Sequence, residues 1–265
     1  MEKLEFVSSL VSTDEDLINL NKQGIIAGPE EEKYSFFLRA DSLIEERSGS
    51  STSFPSRIQE IFDICPSHLQ ILYSNEGLDV WEAGCTWILE NQVTIQLRKP
   101  LYKASRWLGI YSKKEILAHE IVHAVRMKFR EPIFEEVLAY QTSSWAWRRF
   151  WGPLFRNSGE SYALFLSVTI GVGITLWQPF WGFATILMLP IFFSVRLMLV
   201  QSYFRRAMRK IRKMLGVTPL WIMLRLTDKE IKMFATQPIP VIEHYAKKRK
   251  LDDIRWRQIY LSYFV

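Results

Sequence analysis

Thirty-five consecutive residues, Ser161 to Val195, carry no charge. A helix in a soluble protein rarely runs so far without a polar face. As one helix the segment would extend about 52 Å at ~1.5 Å per residue, against about 30 Å of hydrocarbon in a bilayer. Gln178-Pro179 and Gly182 interrupt it. It therefore reads as two spans, Tyr162–Trp177 and Phe180–Val200, joined by a tight turn: a transmembrane helical hairpin over residues 161–200. Arg196 falls within the second span and can snorkel toward the interface. Trp147, Trp151, Trp177 and Trp181 suit interfacial positions. The alternative is a helical pair buried in a large soluble core.

Charge is distributed around this run. Residues 1–100 carry 8 Lys/Arg and 17 Asp/Glu; residues 101–160 carry 10 and 6; residues 161–265 carry 16 and 5. The overall charge of +6 thus averages an acidic first part with a basic second part. Arg148, Arg149 and Arg156 precede the uncharged run, and Arg205, Arg206, Arg209, Lys210, Arg212 and Lys213 follow it. Basic residues on both sides place both ends of the hairpin in the cytoplasm. They also attract anionic lipid, a simpler use of the charge than nucleic acid, which is not expected as a partner. The first twenty residues hold no uninterrupted apolar stretch, so the N-terminal part is expected to stay on the side where it is made. Two cysteines, Cys65 and Cys85, cannot build a disulfide framework and fit a reducing compartment.

The local pattern predicts an α+β chain. Residues 1–54 read as an acidic lead-in, weakly ordered to Gly28-Pro29, then a helix Glu30–Glu46 with an acidic first turn and a Ser-rich linker at 48–53. Pro55 opens a short helix. Strands are predicted at His68–Ser74, Cys85–Leu89 and Gln92–Arg98, the last two joined at Glu90-Asn91, giving a small antiparallel sheet. Ser112 and Glu115 form the pattern of a capping box that starts a helix to about Lys128. A second helix is predicted from Ile133 to about Trp151. Residues 201–265 read as a basic helical region, with a second capping box at Thr227–Glu230 and a break at Gln237–Pro240.

The chemistry lies in the first capped helix, at His119-Glu120-Ile121-Val122-His123. Two histidines four residues apart share one helical face, and both imidazoles can reach one zinc ion. Glu120 stands where its carboxylate can take a proton from zinc-bound water. With four histidines and twenty glutamates in 265 residues, such a pattern is expected by chance roughly 0.005 times. The other reading is a pair of exposed or hydrogen-bonded helix histidines. A catalytic zinc needs a third protein ligand, and the near candidates are Glu135 and Glu136. Arg126, one turn after His123, reads as a solvated salt-bridge residue. Tyr111 and Tyr140 are candidates to stabilise an oxyanion, and His244 reads as a surface residue.

These residues resemble the gluzincin class of zinc metallopeptidases, which carries HExxH on one helix and a glutamate on the next. Glu136-Val137-Leu138-Ala139-Tyr140 resembles the second motif of that class, Glu-x-x-Ala-[Asp/Asn/Tyr]. The resemblance implies that His119, His123 and Glu136 hold Zn2+, that Glu120 is the catalytic base, and that Ala139 packs against the active-site helix. It covers about Pro55 to Trp151 and implies a compact zincin-like domain over 55–160. It further implies that an edge strand, Cys85–Leu89 or Gln92–Arg98, pairs with an extended substrate. The expected protein is a membrane-associated zinc peptidase with a peptide or protein substrate and membrane lipid as partners. The competing expectation is a catalytically inactive zincin scaffold acting as a membrane-bound binding or adaptor protein.

Overall fold

A computed structural model describes residues 13–45, 54–79, 82–89 and 92–264. The expected linker at 48–53 and turn at Glu90-Asn91 lie outside the described residues. The fold is α+β and mostly helical.

The acidic lead-in contains a helix, α1 (Asp14–Lys22), closed at its start by a reciprocal capping box between Thr13 and Asp16. Leu17, Leu20, Ile25, Ile26 and Ala27 are buried. Residues 13–27 are therefore packed structure, while residues 1–12 of the expected lead-in lie outside the described residues. The next helix, α2, spans Lys33–Glu45 and has no acidic residue in its first turn. Glu31 lies ahead of it and instead binds the buried Arg39 at 2.7 Å. Helix α3 spans Ser56–Phe62.

The main sheet comprises β1 (Gln70–Tyr73), β2 (Gly84–Leu89) and β3 (Gln92–Leu97), in the order β1-β3-β2. It is mixed, not antiparallel: β3 pairs antiparallel with β2 and parallel with β1. The chain passes from β1 to the far edge before returning through the centre, which sets β1 and β3 in the same direction. Two short strands, β4 (Arg106–Trp107) and β5 (Tyr111–Ser112), pair before helix α4 (Lys113–Val125). Ser112 sits at the N-cap of α4 but makes no side-chain cap bond there. Glu115 accepts from the backbone and hydroxyl of Ser144 and pairs with Arg148 instead.

The single helix expected from Ile133 to Trp151 is broken into α5 (Glu135–Tyr140) and α6 (Ala146–Trp151). Thr142 donates to the Ala139 carbonyl at 2.7 Å, a side-chain bond of the kind that competes with helix continuation.

The uncharged run forms most of α7 (Ser158–Thr175) and the first part of α8 (Pro179–Leu215), as far as Val195. The two pack closely: a Cβ on Gly182 would fall 2.0 Å from Thr175 Oγ1, and Ser167 donates to the Thr185 carbonyl at 2.9 Å. Phe165, Leu176, Trp177 and Phe180 are between 74% and 82% exposed, so these helices are not core helices. Among the described residues one helix, α8, is long and apolar enough to cross a membrane. Arg196 does not snorkel alone. It pairs with Glu160 of α7 and donates to the Leu154 carbonyl at 2.9 Å.

Helix α8 continues past residue 200 without interruption, burying Val200, Phe204, Ala207 and Ile211. Helices α9 (Pro219–Met223), α10 (Asp228–Thr236), α11 (Ile239–Asp252) and α12 (Ile254–Tyr263) follow. One apolar core joins β3, α4, α5, the basal half of α8 and these last helices. Asp228 accepts from the backbone of Ile133 and Phe134, fixing the turn between α4 and α5.

Candidate metal centre

Helix α4 is apolar on most of its surface, with Leu117, Ala118, Ile121, Val122, Ala124 and Val125 buried. That burial orients the remaining stripe, so His119 and His123 emerge together one turn apart. The turn after Arg126 brings α5 back against α4. Glu136 then reaches both imidazoles: its carboxylate oxygens lie 3.5 Å from His119 Nε2 and 3.4 Å from His123 Nε2. The two Nε2 atoms are 3.3 Å apart. Ligands at the corners of a tetrahedron, each about 2.0–2.1 Å from zinc, stand about 3.3–3.4 Å apart. The three donors therefore have the chemistry and the mutual spacing of a closed face of such a site. Their side chains are between 19% and 22% exposed, and they face a cavity.

Glu135, the other candidate ligand, takes a different place. His123 Nδ1–H donates to Glu135 Oε1 at 3.2 Å, which turns Nε2 toward the cluster. Arg126 Nε donates to Glu135 Oε2 at 2.8 Å. Arg126 is not solvated as the sequence reading has it. It is 1% exposed and also donates to the carbonyls of Leu224 and Leu226 at 2.6 and 3.1 Å. A C-terminal loop thus holds Arg126, Arg126 holds Glu135, and Glu135 holds His123. The sequence carries no signal for this chain of contacts, since its last link is about a hundred residues away.

Glu120 is buried, and Thr86 of β2 donates its hydroxyl to Glu120 Oε2 at 2.9 Å. Burial raises the Glu120 carboxyl above the usual range, with the Thr86 bond and His123 opposing. Burial also lifts Glu136 to about 7, reinforced by the charges of Glu120 and Glu135 and opposed by His123. For His123, burial acts downward, but the bond to Glu135 and the charges of Glu136, Glu120 and Glu135 carry it up to about 9. His119 is held well below its usual value by burial, then by His123 and Arg148.

A cavity of about 540 Å³ borders the cluster, walled on one side by Gly84, Cys85, Thr86 and Ile88 of β2 and on another by Asn157, Ser158 and Ser161. A smaller one of about 290 Å³ adjoins it and is lined by His119, Glu120, Tyr111 and Tyr140. Both tyrosines proposed as oxyanion donors thus reach the cleft. Burial lifts the Tyr140 hydroxyl to about 12, so it keeps its proton at neutral pH, and its ring meets His119 edge-on at 4.8 Å. Of the two strands considered for substrate pairing, β3 is excluded because both of its sides are occupied; β2 is at the sheet edge. Cys65 and Cys85 are both free, and His244 is exposed. No protein-family model, curated protein or solved structure matches the chain.

Proposed function

We propose that this chain is a membrane-associated zinc metallopeptidase. The observation that carries the reading is the convergence of Glu136 on His119 and His123, with Glu120 buried beside them. In this reading His119, His123 and Glu136 hold zinc. When bound, the metal supplies Lewis acidity that polarises a carbonyl and makes water a better nucleophile at neutral pH. Glu120 takes a proton from the attacking water and returns it to the leaving nitrogen. One water is consumed, the C–N bond breaks, and a carboxylate and an amine are formed. Thr86 keeps the Glu120 carboxylate aimed, and the raised affinity of Glu120 for a proton suits it to both halves of the transfer. The edge of β2 supplies backbone groups for an extended peptide. Tyr140 and Tyr111 offer hydroxyl donors in the adjoining part of the cleft, beside His119 and Glu120.

The zincin-like arrangement belongs to this proposal, as does insertion of α7 and α8 into a bilayer as a hairpin with both ends cytoplasmic. The exposed apolar surface of the two helices and the flanking arginines and lysines support the insertion. The test is metal analysis and peptide turnover on the full chain purified in detergent. We expect one zinc per chain, lost in His119→Ala, and a Glu120→Gln variant that keeps zinc without hydrolysing a broad peptide library. Zinc bound with no turnover by the unaltered chain points to the inactive scaffold. Turnover that survives Glu120→Gln removes the mechanism.

A further inference from the structure

The wall of the cleft and the foot of the apolar helices are the same residues. Asn157 is the N-cap of α7, and Ser158 and Ser161 lie in its first turn. All three line the cavity that holds His119, His123 and Glu136. Between them sits Glu160, paired with Arg196 of α8. Charged side chains are costly inside hydrocarbon. The Glu160–Arg196 pair therefore marks the boundary below which α7 and α8 cannot sink. Ser161 begins the uncharged run on the other side of that mark. At the same level Ser158 Oγ lies 3.5 Å from Glu82, which also lines the cavity two residues before β2 begins. The edge strand thus begins beside the foot of α7 and runs along the cavity through Thr86, which is bonded to Glu120, to Ile88.

We infer that the cleft takes the membrane-proximal stretch of a membrane-anchored polypeptide, which enters at the lipid interface beside Ser158 and lies extended along β2. This rests on the peptidase reading above and specifies its substrate class. An extended chain advances about 3.3 Å per residue, so a bond in this cleft is only a few residues from the lipid surface. A segment leaving the bilayer meets the cleft directly. A segment far from its anchor must loop back to the interface, and a free peptide must reach a cleft whose mouth faces lipid head groups.

The test uses the full chain reconstituted in phospholipid vesicles with single-span polypeptides bearing a randomised segment. In one set the segment starts about five residues from the span. In a second set about forty Gly/Ser residues separate them, and a third set is the same segment free in solution. Anchoring concentrates the first two sets equally, so their ratio reads reach rather than recruitment. The expected result is cleavage of the near set at least about tenfold faster than the far and free sets, absent in Glu120→Gln. Equal rates for near and far sets overturn the inference and leave the peptidase reading standing. Cleavage of none of the sets by the zinc-loaded chain counts against both.

Discussion

His123 is gripped from two directions, by Glu136 at Nε2 and by Glu135 at Nδ1. A carboxylate behind a ligating imidazole fixes its ring and strengthens it as a donor. Glu135→Ala should therefore lower metal affinity by about 10–100-fold, read by competition against a chelator. Thermal unfolding of the same variant separates that loss from the cost of leaving buried Arg126 without its carboxylate. Glu136→Ala, which removes a donor atom outright, should lose the metal more completely. The pairing of the two histidines was legible in the sequence because residues four apart share one helical face, and Glu120 was legible only as the residue beside the first of them. Glu136 was singled out over Glu135 only by the resemblance, and helix spacing alone left both open. Neighbouring glutamates are chemically alike, and only the rotation of α5 against α4 tells them apart. Thr86 and Arg126 were illegible for a stronger reason, since their partners are fixed by tertiary packing.

Helices show the same limit. The capping box at Thr227–Glu230 formed as its spacing implies, whereas Ser112 and Glu115 match the same pattern and Glu115 is drawn off to Ser144 and Arg148. Local pattern yields when a distant partner makes the better bond. Within α10, Glu230 faces Arg255 at 2.8 Å with Trp256 and Tyr245 also bonded to it. Burial alone would raise this carboxyl. The Arg255 charge and these bonds outweigh it and hold the group at about 2, below its ordinary 4.5. The pair's contribution is thus complete above about pH 4.5 and is lost as pH falls through about 2. Glu230→Gln should cost about 3–5 kcal/mol near neutrality and flatten the acid limb of a stability–pH curve. Between α7 and α8 the constraint is space. Gly182→Leu would drive a side chain into the Thr175 backbone, 2.6 Å from the Cβ position. An expected loss of about 1–3 kcal/mol would register as a lower unfolding temperature in detergent.

At the scale of the whole molecule, the uncharged run is divided between two helices, as its break at Gln178-Pro179 implies, and both leave large apolar side chains exposed. The basic segment after the run reads as helical to about Leu215, where α8 ends; what composition could not show is where that part of α8 packs. It enters the core that also contains the HExxH helix. Its 37 residues correspond to about 55 Å at ~1.5 Å each, so on the proposed insertion about 25 Å would stand clear of a hydrocarbon layer about 30 Å thick. Reconstitution in bilayers of graded acyl-chain length should therefore change turnover of the anchored substrate while leaving zinc content constant. A rate indifferent to thickness would contradict a bilayer-embedded α8. On the proposed insertion, α8 joins the bilayer to the core that carries the HExxH helix, so a tilt of α8 in the lipid would carry the cleft with it. If the chain cuts anchored polypeptides as proposed, membrane thickness would then act as a ruler, setting how far from its anchor a polypeptide is cut.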